Sequence, residues 1–256
     1  MKKIFYWILL LPFLAISQNG NDYMVFELGM LSPKLDKISQ FESGLAAHNK
    51  KYHKDGQYGA RVYWIGNGAN TGKYQWVMGP LPWSAFDTRP EKEGHDEDWN
   101  SNVLPYMLPE TDQVYMKFET GLSNFPKDFT INKLLVDYYD VKPFQGQKAM
   151  ALLEKIKKVM TDKFPEETFG IYTNELPNSK DGNDIAFISF FEKSAWMGED
   201  WKFADKYNEV HGAGSFDTFL KDWENVTQGK YSEIWHFEPE LSGLSGMIKS
   251  ADRQGN

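Results

Sequence analysis

Lys117–Ser123 reads KFETGLS and His236–Ser242 reads HFEPELS. Both share Phe-Glu and, two residues further on, Leu-Ser, at an offset of 119. Earlier pairs keep a nearly equal offset of 110: Pro33 with Pro143, and Ser84-Ala85 with Ser194-Ala195. Matches in one order at a nearly constant offset mark an internal duplication, and a repeat has to be found before any element is assigned. The nine extra residues of the second copy fall between Ala195 and Phe237, around KYNEVHGAGSF.

Working outward from these stretches, each copy shows the same element order. In the first, YMVFELGML reads as a strand, followed by a helix from Pro33 to His53. Leu35, Ile38, Phe41, Leu45 and Tyr52 recur there at helical spacing, which predicts one buried face. ARVYWIG and KYQWVMG are strands across NGANTG, whose Asn and Gly residues suit a tight turn. A partly helical segment follows, and QVYMKFE closes the copy as a strand. The second copy repeats this with NKLLVDYYDV, a helix from Gln147 to Phe164, FGIYTNEL, DIAFISFFE, a helical region from Ser194 to Val226, and YSEIWHFE. The order β-α-β-β-α-β, twice, is the ferredoxin-like pattern. VYWI, AFISFF and EIWHF are apolar at nearly every position, so both faces of each sheet are expected to be dry. Helices cover one face, and the sheet of the other copy is the economical cover for the second. The reading is α+β: two tandem halves, 18–125 and 126–243, packed sheet to sheet, with 244–256 as a flexible tail.

Residues 1–17 are set apart. MKK is a positive start, IFYWILLLPFLAI is an apolar run of thirteen, and Ala15-Ile16-Ser17 supplies small residues before Gln18. This is the form of an export signal, and the run is shorter than the ~20 residues of a spanning helix. A periplasmic or secreted location is expected, with no membrane span after signal removal. The chain has no Cys, which excludes disulfides and thiolate chemistry. Its net charge of −8 becomes more negative once Lys2 and Lys3 are removed, and no basic stripe offers a nucleic-acid surface.

With FFEKSAWM, a strand running into a helix at Ser194-Ala195-Trp196, and its echo PLPWSAFD, the chain resembles the dimeric α+β barrel superfamily. That group includes antibiotic-biosynthesis-monooxygenase-like and NIPSNAP-like proteins. The resemblance implies two units paired through their sheets, here within one chain, so that a monomer contains an internal pseudo-dimer. It also implies a small, partly apolar ligand, with oxygenase or isomerase activity among the group's chemistries. Ligands in that group sit between the first helix and the sheet, which makes His48 a possible haem ligand or proton acceptor. The same group includes proteins with no known activity, and fold carries little information on function.

From the residues themselves, His236 and Glu238 share one face of the closing strand, as Lys117 and Glu119 do in the first copy. Asp137, on the neighbouring opening strand, is the third member of this set, with Glu27 at its counterpart. A His between carboxylates suits a general base, and a cross-strand ion pair explains the same residues without chemistry. His48 borders the inward stripe of its helix, and Trp64, Trp76 and Trp235 are the aromatic candidates for a ligand cavity, or simply core. No metal site is read. His53 lies five residues after His48, so on a continuous helix the two point apart. GHDEDW lacks the spacing of a calcium loop and reads as the acidic start of a helix.

Overall fold

The computed structural model describes residues 23–88, 93–178 and 182–250. The export signal expected at 1–17 lies outside the described residues. Eight strands form the frame: β1 (Val25–Leu31), β2 (Ala60–Ile65), β3 (Tyr74–Leu81), β4 (Asp112–Phe118), β6 (Lys133–Val141), β7 (Phe169–Asn174), β8 (Ile185–Phe191) and β9 (Thr227–Phe237), with a short β5 (Phe129–Thr130) between the halves. They close into one barrel in the order β1-β3-β2-β9-β6-β8-β7-β4, antiparallel throughout. Within each half the spatial order is fourth, first, third, second strand, as the ferredoxin-like pattern requires.

The halves meet along two seams. At one, Tyr63, Trp64 and Ile65 of β2 pair with Phe237, His236 and Trp235 of β9. At the other, Met116, Lys117 and Phe118 of β4 pair with Asn174, Thr173 and Tyr172 of β7. The repeated stretches end these seams. Glu119 donates its N–H to Ile171 at 2.9 Å, and the Ser123 hydroxyl donates to the Glu119 carbonyl at 2.8 Å while accepting the Ile171 N–H at 2.9 Å. Glu238, Ser242 and Val62 make the same three bonds at 2.9, 2.7 and 2.9 Å. Leu122 and Leu241 tuck into the helix-side cores. The motif is repeated because each half uses it to fasten itself to the other.

Strand alternation sorts the side chains. Phe26, Leu28, Tyr63, Met116, Leu134, Tyr138, Tyr172, Ile188 and Trp235 fill the barrel interior. The opposite faces carry separate cores, and a smaller one gathers Ala60, Met78, Leu81 and Ala85. Over the second half, α3 (Gly146–Lys163), α4 (Phe203–His211) and α5 (Ser215–Val226) bury Leu152, Leu153, Phe169, Ile171, Tyr207 and Phe219. Over the first, α1 (Ile38–Tyr52) and α2 (His95–Asn102) cover Leu31, Val62 and Tyr74. Burying each such side chain contributes ~1.5–3 kcal/mol.

Two local expectations change. Leu35 is 88% exposed, because a 3-10 turn (Leu35–Lys37) precedes the helix and breaks its register. Residues 244–250, expected to form a flexible tail, are docked. β10 (Met247–Ile248) pairs with β5, Ile248 is buried, and Arg61 donates to the Ser245 carbonyl. Residues 251–256 lie outside the described part.

Candidate functional site

α1 buries Phe41, Leu45, His48, Asn49 and Tyr52, so His48 sits in the middle of the inward face rather than at its border. The helix stops at Tyr52; His53 caps it with φ −126° and ψ 24°, outside helical geometry. Its side chain therefore does not follow the rotation that predicts divergence from His48. The His53 ring turns back over the sheet, edge-on to Trp76 at 5.1 Å, and Nδ1 donates to the Tyr58 carbonyl at 2.7 Å. His95 arrives as the first residue of α2, after Gly94 at φ 80°, a conformation that favours glycine.

These three histidines meet. One ring nitrogen from each of His48, His53 and His95 lies within 4.8 Å of the others. Nε2 of His53 is 3.2 Å from Nε2 of His95. His48 is 1% exposed, its Nδ1 lies 2.8 Å from Oδ2 of Asp98, and its Nε2 has no hydrogen-bond partner. His95 places Nδ1 2.8 Å from Oδ1 of Asp96. Burial pulls the His48 imidazole below its ordinary range, against the upward pull of Asp98. Burial pushes the Asp98 carboxyl up, but hydrogen bonds from His48 and Asn102 outweigh this and hold it lower than usual. An ionised Asp98 beside a neutral His48 places the proton on Nδ1 and leaves the lone pair on Nε2.

The approach of α2 to α1 depends on Gly44. A methyl at position 44 would lie 1.8 Å from the Asn102 carbonyl oxygen. Asn49, fully buried, donates to the Leu241 carbonyl at 2.7 Å and accepts from Nε1 of Trp76 at 3.1 Å, which ties helix, sheet and closing segment together.

The histidines open onto a cavity of about 220 Å³ between α1, α2 and the sheet. Leu31, Trp76, Met78 and Trp99 supply its apolar wall; Glu27, 7% exposed, and Gln113 supply the polar one, with Gln113 donating to Glu27 at 2.5 Å. This volume is under the ~300–1,000 Å³ of ordinary small-molecule pockets, so the occupant must be small. A haem with His48 as axial ligand does not fit. Nε2 of His48 is enclosed with His53 and His95, leaving no room for a macrocycle.

The residues expected from the sequence divide among several places. His48 and Trp76 line the cavity. Trp64 meets the His236 ring at 5.3 Å in a tilted contact at the seam, and Trp235 points into the barrel interior. His236, Glu238 and Asp137 do not come together. His236 stands opposite Lys133, whereas Asp137 stands opposite Ser232, about 13 Å along the strand. Asp137 accepts from the Ser232 hydroxyl at 2.5 Å and pairs with Lys230 at 3.0 Å. Burial, then the charge of Lys133, lowers the His236 pKa, so its imidazolium is disfavoured rather than favoured. Lys117 and Glu119 form an ion pair at 3.1 Å. Helical spacing sets His53 apart from His48, and nothing in the pattern around His95 marks it as their partner. The available signal was that three of the five histidines fall in the first half.

No family model matches the chain, and no curated protein is similar to it in sequence. Solved structures are. A candidate monooxygenase from Lactobacillus acidophilus superposes with a TM-score of 0.53 at 12% identity, covering 89% of this chain and 100% of that one. One from Fusobacterium nucleatum gives 0.55 at 12%, with 89% and 95% covered. Chlorite dismutase from Candidatus Nitrospira defluvii, in complex with imidazole, gives 0.52 at 6%, with 85% and 92% covered. This chain has the dimeric α+β barrel fold. As a dimeric α+β barrel it carries both units in one polypeptide, and identities this low establish the fold alone. Among the described residues no helix is long and apolar enough to cross a membrane, and no second group of three or more metal-ligating side chains converges as His48, His53 and His95 do.

Proposed function

We propose that this is an exported, monomeric protein whose first half binds a small, partly apolar molecule under α1 and α2 and performs oxygenase- or isomerase-type chemistry on it. One observation carries the reading: an unpartnered imidazole nitrogen of His48 and a buried Glu27 line the same small cavity as Trp76 and Trp99. A base and an acid at an apolar wall suit proton movement on a bound molecule. Export rests on the form of residues 1–17, and a monomer is supported by barrel closure within one chain, which pairs both edge strands of each half. The likeness to monooxygenase candidates supports the oxygenase branch through fold only.

The test is a fluorescence and native-mass titration of the untagged protein with a panel of small phenols, quinones and cyclic ketones. Binding that quenches tryptophan emission and weakens in Trp76→Leu and Glu27→Gln supports the cavity. A product one oxygen heavier, or an isomer, shows chemistry; retention without turnover reduces the protein to a binding module. No retained compound across the panel, or binding indifferent to both substitutions, overturns the reading.

A further inference from the structure

We infer that His48, His53 and His95 form a binding site for one divalent transition metal ion, zinc by donor type, with its fourth coordination position open to the cavity. This deepens the proposed function by assigning that cavity a metal. With the ion bound, Nε2 of His48 is a ligand and Glu27 is left as the group that moves a proton. The site itself stands on geometry that does not depend on the small molecule.

The argument begins with protons. Nδ1 of His53 faces a carbonyl, which only accepts, and Nδ1 of His48 faces a carboxylate. His95 likewise turns Nδ1 to the Asp96 carboxylate. Each ring therefore carries its proton on Nδ1 and presents a lone pair at Nε2. The three lone pairs converge: Nε2 of His53 and His95 stand 3.2 Å apart, and all three ligand nitrogens fall within 4.8 Å. An extra proton would join His53 to His95 and leave Nε2 of His48 buried without a partner. A cation satisfies all three.

The His53–His95 separation of 3.2 Å agrees with such an ion, and the His48 nitrogen, within 4.8 Å of both, closes the remaining distance when the ion binds. Two nitrogens each about 2.05 Å from a tetrahedral metal lie about 3.3 Å from one another. The Nδ1 partners are the acceptors that metal-bound histidines use to fix ring orientation: two carboxylates and a backbone carbonyl. Three neutral imidazoles suit zinc, copper, iron or nickel, and an open three-histidine set is a zinc geometry that keeps a position for water or substrate. All three rings line the cavity, so the fourth position faces Glu27 and Trp76. Among the described residues the second half holds no comparable histidine group, and Leu152, Tyr207 and Phe219 pack over its sheet.

The experiment uses the full chain without an affinity tag, stripped with chelator and titrated with Zn²⁺ or Co²⁺ alone. One ion per chain is expected. Co²⁺ should give the intense visible bands of a four-coordinate site, shifted by azide at the open position. His53→Gln and His95→Gln should abolish stoichiometric binding, and Asp98→Asn should weaken it about 10–100-fold. His236→Gln should leave it unchanged. Circular dichroism confirms that each variant is folded; if either glutamine variant is not, His95→Ala on the exposed side of the cluster takes its place. No binding to the parent protein, or undiminished binding in folded His53 and His95 variants, overturns the site. A Co²⁺ spectrum indifferent to azide overturns the open position. Metal binding and small-molecule binding are read separately, so a protein that holds zinc but no organic ligand sinks only the cavity reading, and the converse sinks only the metal.

Discussion

The Ser242 hydroxyl donates to the Glu238 carbonyl at 2.7 Å and holds the N–H of Val62, in the opposite half of the chain, at 2.9 Å. Ser123 does the same for Glu119 and Ile171 at the other seam. Removing either hydroxyl strands a backbone N–H at the end of a seam, and Ser242 is buried. Ser123→Ala and Ser242→Ala should each cost about 1–2 kcal/mol in urea denaturation. The seams share no partners, so the double variant should lose the sum of the two.

Gly44→Ala tests what holds α2 in place. Alanine favours a helix interior, yet here its methyl collides with the Asn102 carbonyl. The expected result is a loss of about 1–3 kcal/mol, the usual cost of overpacking. The Nδ1–H resonance of His48, held by Asp98 on α2, should be lost or shifted in a proton NMR spectrum. A variant as stable as the parent with that resonance unmoved would show that the helices tolerate separation.

Asn49→Leu keeps the volume and removes two hydrogen bonds. It leaves the Leu241 carbonyl and the Trp76 indole N–H without their partner. Each stranded group costs about 1–3 kcal/mol. Thermal melts should show a clear loss, and the closing segment around Leu241 should exchange its amide hydrogens faster.

His236 gives a pH dependence of defined sign. Burial, then Lys133, lowers its pKa in the folded state, so the unfolded chain binds the proton first as pH falls from the ordinary histidine range of about 6.5. This group contributes no loss above that range, and stability declines as pH drops through the window between the unfolded and folded values. In His236→Gln that part of the decline should vanish. Melting temperatures of the two proteins at pH 7 and pH 5 make the comparison; equal losses would remove His236 as a contributor.

Glu238 shows the opposite sign at the same seam. Burial, then the nearby Glu42, raises its pKa, so ionisation disfavours the fold. The penalty is absent at acid pH and appears as pH rises through the raised value. Glu238→Gln should melt slightly above the parent at pH 7 and level with it near pH 3. The gain stays small because solvent screens a half-exposed carboxylate.

Much of this was legible along the chain. The repeat KFETGLS/HFEPELS, the two helical stripes and the doubly apolar strands determined a duplicated ferredoxin-like fold with a dry interior, because periodicity and burial are local consequences of side-chain order. The site was not. His48 was visible as an inward helical residue, but His53 was misdirected by a helical rule applied one residue past the helix end. His95, 47 positions from His48, looked like part of an acidic helix start, and only the packing of α2 on α1 at Gly44 brings it to His48. His236, Glu238 and Asp137 failed to gather for the converse reason: a strand face can be read from sequence, but the register between strands cannot, and four positions of register separate them. Sequence by itself determined which elements form and which faces they bury; tertiary structure alone decided which histidines meet, because a three-residue centre drawn from a helix, its cap and a second helix has no period to betray it.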